Sequence, residues 1–248
     1  MQPFEVLQFE WNHDAVKAPE TRHSRDFVCF HLQRMLPEFV WHAGVLEGNP
    51  ITFVEVKTLL EGVTIGGRKL SDQEQILNFA ESTKHLIEQI KTQNFSFTRK
   101  NFCAFNELVA KNESLEWGLF RGEGKEVNYT PRVLLGEYGY HHPAKTQAGA
   151  ENLITHFEQA REVLNAQIES PYERGLVFFL FGALQQFFFD GNKRTSRLLM
   201  NGILMENGFN AISIQASRAQ EFNVEMIDFY RHKNADRMLR FLSECYEE

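Results

Sequence analysis

The 248-residue sequence predicts a mostly α-helical protein with one small β excursion. Three observations carry that reading. Apolar residues recur at helical spacing over most of the chain. Glycine and proline, which interrupt helices, concentrate in one segment, 117–146. Phenylalanine, at 23 copies, is abundant enough to fill a helical core with aromatic rings.

The elements follow in order. Segment 25–46 carries Phe27, Phe30, Leu32, Leu36 and Val40 at helical spacing and ends at Glu47-Gly48-Asn49-Pro50, a helix stop followed by a turn. Thr52 starts a short helix whose Thr52–Glu55 spacing is that of a capping box. After a glycine loop at 62–67, helices are expected over 71–93 and 98–111. Segment 117–146 holds Gly118, Gly122, Gly124, Gly136, Gly139, Pro131 and Pro143 beside the β-prone run Arg132-Val133-Leu134-Leu135, and reads as a hairpin or an irregular lid. Helical patterns return over 148–169, 172–188, 193–206, 217–231 and 235–246, and Ala211-Ile212-Ser213-Ile214 reads as a short extended piece. The organisation expected is an N-terminal segment, 1–70, packed as one unit with a larger helical domain, 71–248.

Composition narrows the partners. A net charge of −7 argues against nucleic acid, whose phosphates demand a basic surface. Cys29, Cys103 and Cys245 are odd in number and far apart, matching neither a disulfide framework nor a zinc spacing. No apolar run reaches membrane-spanning length, and the N-terminus MQPFEVLQFEWNHDA lacks the basic-then-apolar pattern of a signal peptide. A cytoplasmic protein with no membrane partner is expected.

The chemistry concentrates in QQFFFDGNKRTSR, residues 185–197. A turn at Asp190-Gly191-Asn192 follows an apolar helix, and a new helix begins near Lys193. The start of a helix offers unpaired N–H groups and the positive end of its dipole to an anion. Arg194 and Arg197, three apart, share one face and carry guanidinium groups that fork onto phosphate oxygens. Asp190 is placed to hold Mg²⁺, which takes one or two carboxylates plus phosphates. The plainer reading of the same residues is a capped corner with arginines paired to surface acids.

These residues resemble a known family. F-x-D-G-N-K-R-x-x-R, through Phe188, Asp190, Gly191, Asn192, Lys193, Arg194 and Arg197, is similar to the core of the Fic (filamentation-induced-by-cAMP) motif, H-x-F-x-[D/E]-G-N-[G/K]-R-x-x-R. Upstream, Glu47-Gly48-Asn49 is similar to the family's inhibitory motif [S/T]-x-x-x-E-G-N, with Ala43 in place of the Ser/Thr. The resemblance runs from about Arg25 to the C-terminus. It implies a Fic-like helical bundle with a small β-hairpin flap, binding of ATP with Mg²⁺, and transfer of AMP to a hydroxyl of an unidentified target protein. Carried over, Asp190 would hold the metal, and Gly191, Asn192, Lys193, Arg194 and Arg197 would hold the nucleotide. Glu47 would pair with Arg197 and misplace the γ-phosphate. The flap would align the target as an added strand. Self-association is common in the family, and nothing in the sequence fixes an oligomeric state.

The sequence departs from the motif at its first residue. The catalytic histidine's position is Gln186, a neutral amide that accepts no proton as a base. General-base help is worth about 10²–10⁴ in rate, or roughly 3–5 kcal/mol. His141 and His142, beside the flap, read as exposed loop histidines. Three readings stay open: a self-inhibited, impaired adenylylating protein; a nucleotide-sensing or partner-binding pseudoenzyme; and a transferase using another phosphate donor and another proton acceptor.

Overall fold

The computed structural model describes residues 3–247, which form eleven α-helices, three one-turn 3-10 helices and one two-stranded sheet. A short α1 (Pro3–Leu7), not expected from the periodicity, buries Val6 and Leu7. The helix expected over 25–46 is two helices, α2 (Arg25–Arg34) and α3 (Leu36–Leu46). The cause is Pro37. It has no N–H to continue the α2 ladder and suits the first turn of a new helix, so Met35 leaves helical geometry at φ −85°, ψ 0°. α4 (Phe53–Leu60) begins at the expected capping box: Thr52 accepts from Glu55 N, and the Glu55 carboxylate accepts from Thr52 N. α5 (Leu70–Lys91) and α6 (Arg99–Val109) follow, the latter capped by Thr98.

The glycine-rich segment contains β1 (Val133–Leu134) and β2 (Tyr140–His141), antiparallel, with Val133 opposite His141 and Leu134 opposite Tyr140. Then come α7 (Glu151–Gln167), α8 (Pro171–Gln185), α9 (Asn192–Glu206), α10 (Ala219–His232) and α11 (Asp236–Glu244). Residues 211–214 form no strand. Asn201 performs the pairing instead, its amide donating to Ile212 O at 3.1 Å and its oxygen accepting from Ile212 N at 2.9 Å.

α8 is apolar on nearly every side and α9 is buried along most of its length, so the pair forms the centre and other helices wrap it. They cross closely because residue 182 is glycine: a Cβ there would lie 2.2 Å from Ser196 Oγ. Around this crossing sits an aromatic block. The Phe102 ring lies 4.8–6.3 Å from those of Phe188, Phe178, Phe157, Phe187 and Phe120. The apolar core runs unbroken from Val6 to Cys245 and takes in residues of the first seventy. No helix among the described residues is long and apolar enough to cross a membrane.

Phe102 is fully buried and touches rings from three separate parts of the chain. Phe102→Ala should destabilise the fold by about 3–5 kcal/mol, the range for a large cavity among rings that cannot all close on it. Urea unfolding should show this as a lower midpoint at unchanged slope.

Candidate functional site

An α-helix leaves its last carbonyls without helical donors. In α8 that end is buried, so side chains must supply donors. The helix stops at Gln185, three residues short of the expected 188, because Gln186 turns left-handed at φ 49°, ψ 60°, a conformation that disfavours any residue with a Cβ by roughly 1 kcal/mol. Ala183 O accepts from Gln186 Nε2 at 2.7 Å and from the Tyr230 hydroxyl at 2.9 Å. Leu184 O accepts from His141 Nε2 at 2.8 Å. Gln186 O accepts from Arg121 Nε at 2.6 Å. The Phe187-Phe188-Phe189 run lies outside the helix and is buried, Phe187 and Phe188 against Phe102 and Phe120 and Phe189 beside Tyr129.

Arg121 is fully buried, and it donates to carbonyls and a hydroxyl: Gln186 O, Gln185 O and Thr146 Oγ1. Burial lowers its pKa to about 10, so it stays charged at neutral pH, facing the negative end of the α8 dipole. His141 is no exposed loop histidine. It is half-buried on β2 and stacked on Tyr230, and only His142 is exposed. Its Nε2–H is spent on Leu184 O, which leaves Nδ1 bare and 3.4 Å from Lys233 Nζ. Burial takes the imidazole pKa down to about 4 and the Lys233 ammonium down to about 8.

The turn after the phenylalanines is held by asparagines. Gly191 has φ +72°, and a Cβ there would press within 3.1 Å of Val109, so the position needs glycine on both counts. Asn192 accepts from Phe188 N at 2.9 Å, donates to Phe188 O at 2.9 Å and donates to Gln186 Oε1 at 3.1 Å. Both ends of the Gln186 amide are therefore engaged. Asn106, from α6, ties Asp190 O to Thr195 Oγ1. The Asp190 carboxylate accepts from Gly191 N and has 56% of its side chain open. Burial of the carboxylate's surroundings raises its pKa, and Arg194 opposes the rise.

Lys193, Arg194 and Arg197 stand in the first turns of α9, where positive charge opposes the helix dipole. Acids from elsewhere balance them. Glu47, at the C-cap of α3, lies 3.5 Å from Arg197 Nη2 and 3.4 Å from Lys193 Nζ. Arg194 pairs instead with Glu113, Nη2–Oε2 at 2.9 Å and Nη1–Oε1 at 3.1 Å, a two-pronged bond that commits its guanidinium. Glu113 is steadied by Gln75 at 2.9 Å, and Gln75 by Asn49 at 3.0 Å, so the Glu47-Gly48-Asn49 turn reaches both arginines. Burial pushes the Glu47 carboxyl up, but Lys193, Arg197 and Arg194 outweigh it and hold the pKa at about 2. Burial lowers the Arg197 pKa against the pull of Glu47, and its Nη1 is buried with no partner among the described residues.

Sequence reading did not find Glu113, Arg121, Asn106 or Tyr230. Each acts across 47 to 89 residues of chain, and no local pattern marks them.

Residues 96–204 match the model of the Fic/DOC family. It is similar to the protein adenylyltransferase Fic of Aedes aegypti, 23% identical over 212 residues, covering 85% of this chain and 40% of that protein. The protein of the same name from Nematostella vectensis is 23% identical over 219 residues, covering 85% of this chain and 47% of that protein. The chain thus spans less than half the length of these two curated relatives. Among solved structures, a Fic-1 fragment from C. elegans superposes with a TM-score of 0.71 at 18% identity, covering 98% of this chain and 66% of that one. A Fic domain containing signalling protein from Bacteroides thetaiotaomicron gives 0.70 at 17% identity, covering 98% and 91%. The fold is that of the Fic proteins.

The Glu47 geometry predicts a pH signature. Its carboxyl is held well below the ordinary 4.5, so its contribution is fully present above that value and is lost as pH falls toward 2. The stability gap between wild type and Glu47→Gln, about 1–3 kcal/mol, should be level above pH 5 and shrink steadily below 4.5. Urea titrations at successive pH values measure it, and a gap independent of pH would dissolve the ion-pair assignment.

Proposed function

We propose that this chain binds ATP with its phosphates against the start of α9, that Glu47 restrains productive binding, and that AMP transfer to a protein hydroxyl is impaired because Gln186 stands at the proton acceptor's position. The observation that carries this is the convergence of Lys193 and Arg197 on the single carboxylate of Glu47 at a helix N-terminus. A phosphate satisfies the same two cations and the same N–H groups, and Arg197 keeps a buried N–H to offer it. Gly191 and Asn192 shape the turn, Lys193 and Arg197 are the freer grips, and Arg194 chiefly anchors the turn through Glu113. The match to the Fic/DOC family and the similarity to two proteins named protein adenylyltransferase Fic support the reading.

Among the described residues no group of three His, Cys, Asp or Glu is arranged for a metal. One open carboxylate beside a phosphate site nevertheless fits Mg²⁺, which keeps waters and takes its other ligands from the nucleotide, so Asp190 would hold it. Bound there, the ion neutralises phosphate charge.

In the transfer, the target's hydroxyl oxygen forms a bond to the α-phosphorus, the bond from that phosphorus to the bridging oxygen breaks, and pyrophosphate leaves. The hydroxyl proton needs an acceptor. Gln186 supplies none, and its amide is already bonded at both ends. The only bare nitrogen of His141 faces Lys233. That engagement favours a second reading, a nucleotide-sensing pseudoenzyme that binds ATP and a partner protein without transfer.

Titration calorimetry with ATP and Mg²⁺ should show binding that tightens in Glu47→Gly and weakens about tenfold or more in Arg197→Ala. Mass spectrometry of the protein and a lysate should then find AMP transfer in Glu47→Gly/Gln186→His at about 10²–10⁴ times the rate of Glu47→Gly. No ATP binding in either wild type or Glu47→Gly removes the nucleotide reading. Binding without transfer in the double variant selects the pseudoenzyme.

A further inference from the structure

We propose that the groove beside the β1–β2 hairpin takes an extended acidic segment of a target protein, so that this domain selects hydroxyls flanked by aspartate or glutamate. The inference rests on the reading of the chain as a domain that presents a nucleotide to a protein hydroxyl. Its support is local and electrostatic. The groove is lined by Tyr129, Thr130, Arg132, His142, Pro143 and Lys145 with Asn128, two cationic side chains and no acid, in a chain whose net charge is −7.

Many arginines away from the hairpin are committed to acids: Arg25, Arg68, Arg99, Arg161, Arg218 and Arg237 each hold a glutamate. Arg132 and Arg231 hold rings instead. The Arg132 guanidinium lies 3.9 Å over the Tyr140 ring and that of Arg231 lies 3.7 Å over Tyr138. Stacking fixes the plane of a guanidinium while leaving its N–H edge free for a carboxylate. Neither nearby acid lines the groove: Glu126 accepts through Oε1 from the N–H groups of Asn128 and Tyr129, and Glu137 sits in the 3-10 turn at the hairpin tip.

The same surface is apolar enough to hold a chain. Leu134, Tyr138 and Tyr140 are 63%, 51% and 42% exposed. The groove also leads to the site. The Tyr129 ring lies 6.1 Å from that of Phe189, the neighbour of Asp190, and Thr130 bonds Thr146, which accepts from Arg121. Each strand is only two residues long, so main-chain pairing offers few bonds, and side-chain charge carries the choice among targets.

Fluorescence anisotropy without nucleotide tests this directly, with a labelled extended peptide bearing one threonine flanked by glutamates and a matched peptide flanked by lysines. The glutamate peptide should bind about tenfold tighter or more, and the difference should fade at high salt. Arg132→Glu/Lys145→Glu should reverse the preference, and Arg231→Glu alone should reduce it; all three positions are exposed, and thermal melting confirms that the variants remain folded. Equal binding of the two peptides overturns the proposal, as does a preference that survives charge reversal. Competitive displacement of the peptide by ATP and Mg²⁺ also overturns it, since the groove would then belong to the nucleotide. Because the assay contains no nucleotide, its failure leaves the ATP reading standing, and failure of ATP binding leaves the peptide result interpretable.

Discussion

The buried end of α8 governs the site. A helix that terminates inside a protein must have its final carbonyls bonded, and an unmet one costs about 1–3 kcal/mol. Here the donors arrive from four places: Gln186 itself, Tyr230 on α10, His141 on β2 and Arg121 in the loop after α6. Satisfying one helix end therefore fixes the hairpin, the phenylalanine loop and α10 relative to one another. Gln186 suits this duty. Its amide donates to Ala183 and accepts from Asn192 at once, spanning both sides of the turn.

The second constraint is charge. Three cations begin α9, against its dipole, and the fold tolerates them because Glu47 and Glu113 come to meet them from distant parts of the chain. The two acids are not equivalent. Glu113 makes short paired bonds to Arg194 and is itself braced by Gln75, whereas Glu47 makes two bonds near 3.5 Å and is easier to displace. Arg194 thus belongs to the scaffold of the turn more than to its open face.

Much of the fold was legible because it is local. The Thr52–Glu55 box, the glycine turn at 191 and the hairpin around 133–141 depend on residues a few positions apart, and each is found where expected. The motif residues could be placed on one turn for the same reason. The Pro37 break was written in the chain but lost beneath a continuous apolar period. The end of α8 was misplaced because three phenylalanines look like more helix, while their burial comes from Phe102, some eighty residues away in the chain. Glu113 and Arg121 could not be read at all. Their roles are set by which backbone groups and cations the tertiary fold leaves unsatisfied, and an isolated glutamate or arginine in a loop carries no mark of that.

Glu47 gives the domain its own counter-ion. The Glu47 carboxylate already stands against Lys193 and Arg197, two of the three cations at the head of α9. On the proposed reading, an incoming phosphate would exchange one anion for another, and its affinity would be a small difference between two similar electrostatic energies. Such a difference is adjustable by modest means: the length of one side chain, or the tilt of α3. The first arginine's partner sets the frame, and the second arginine's partner sets the threshold.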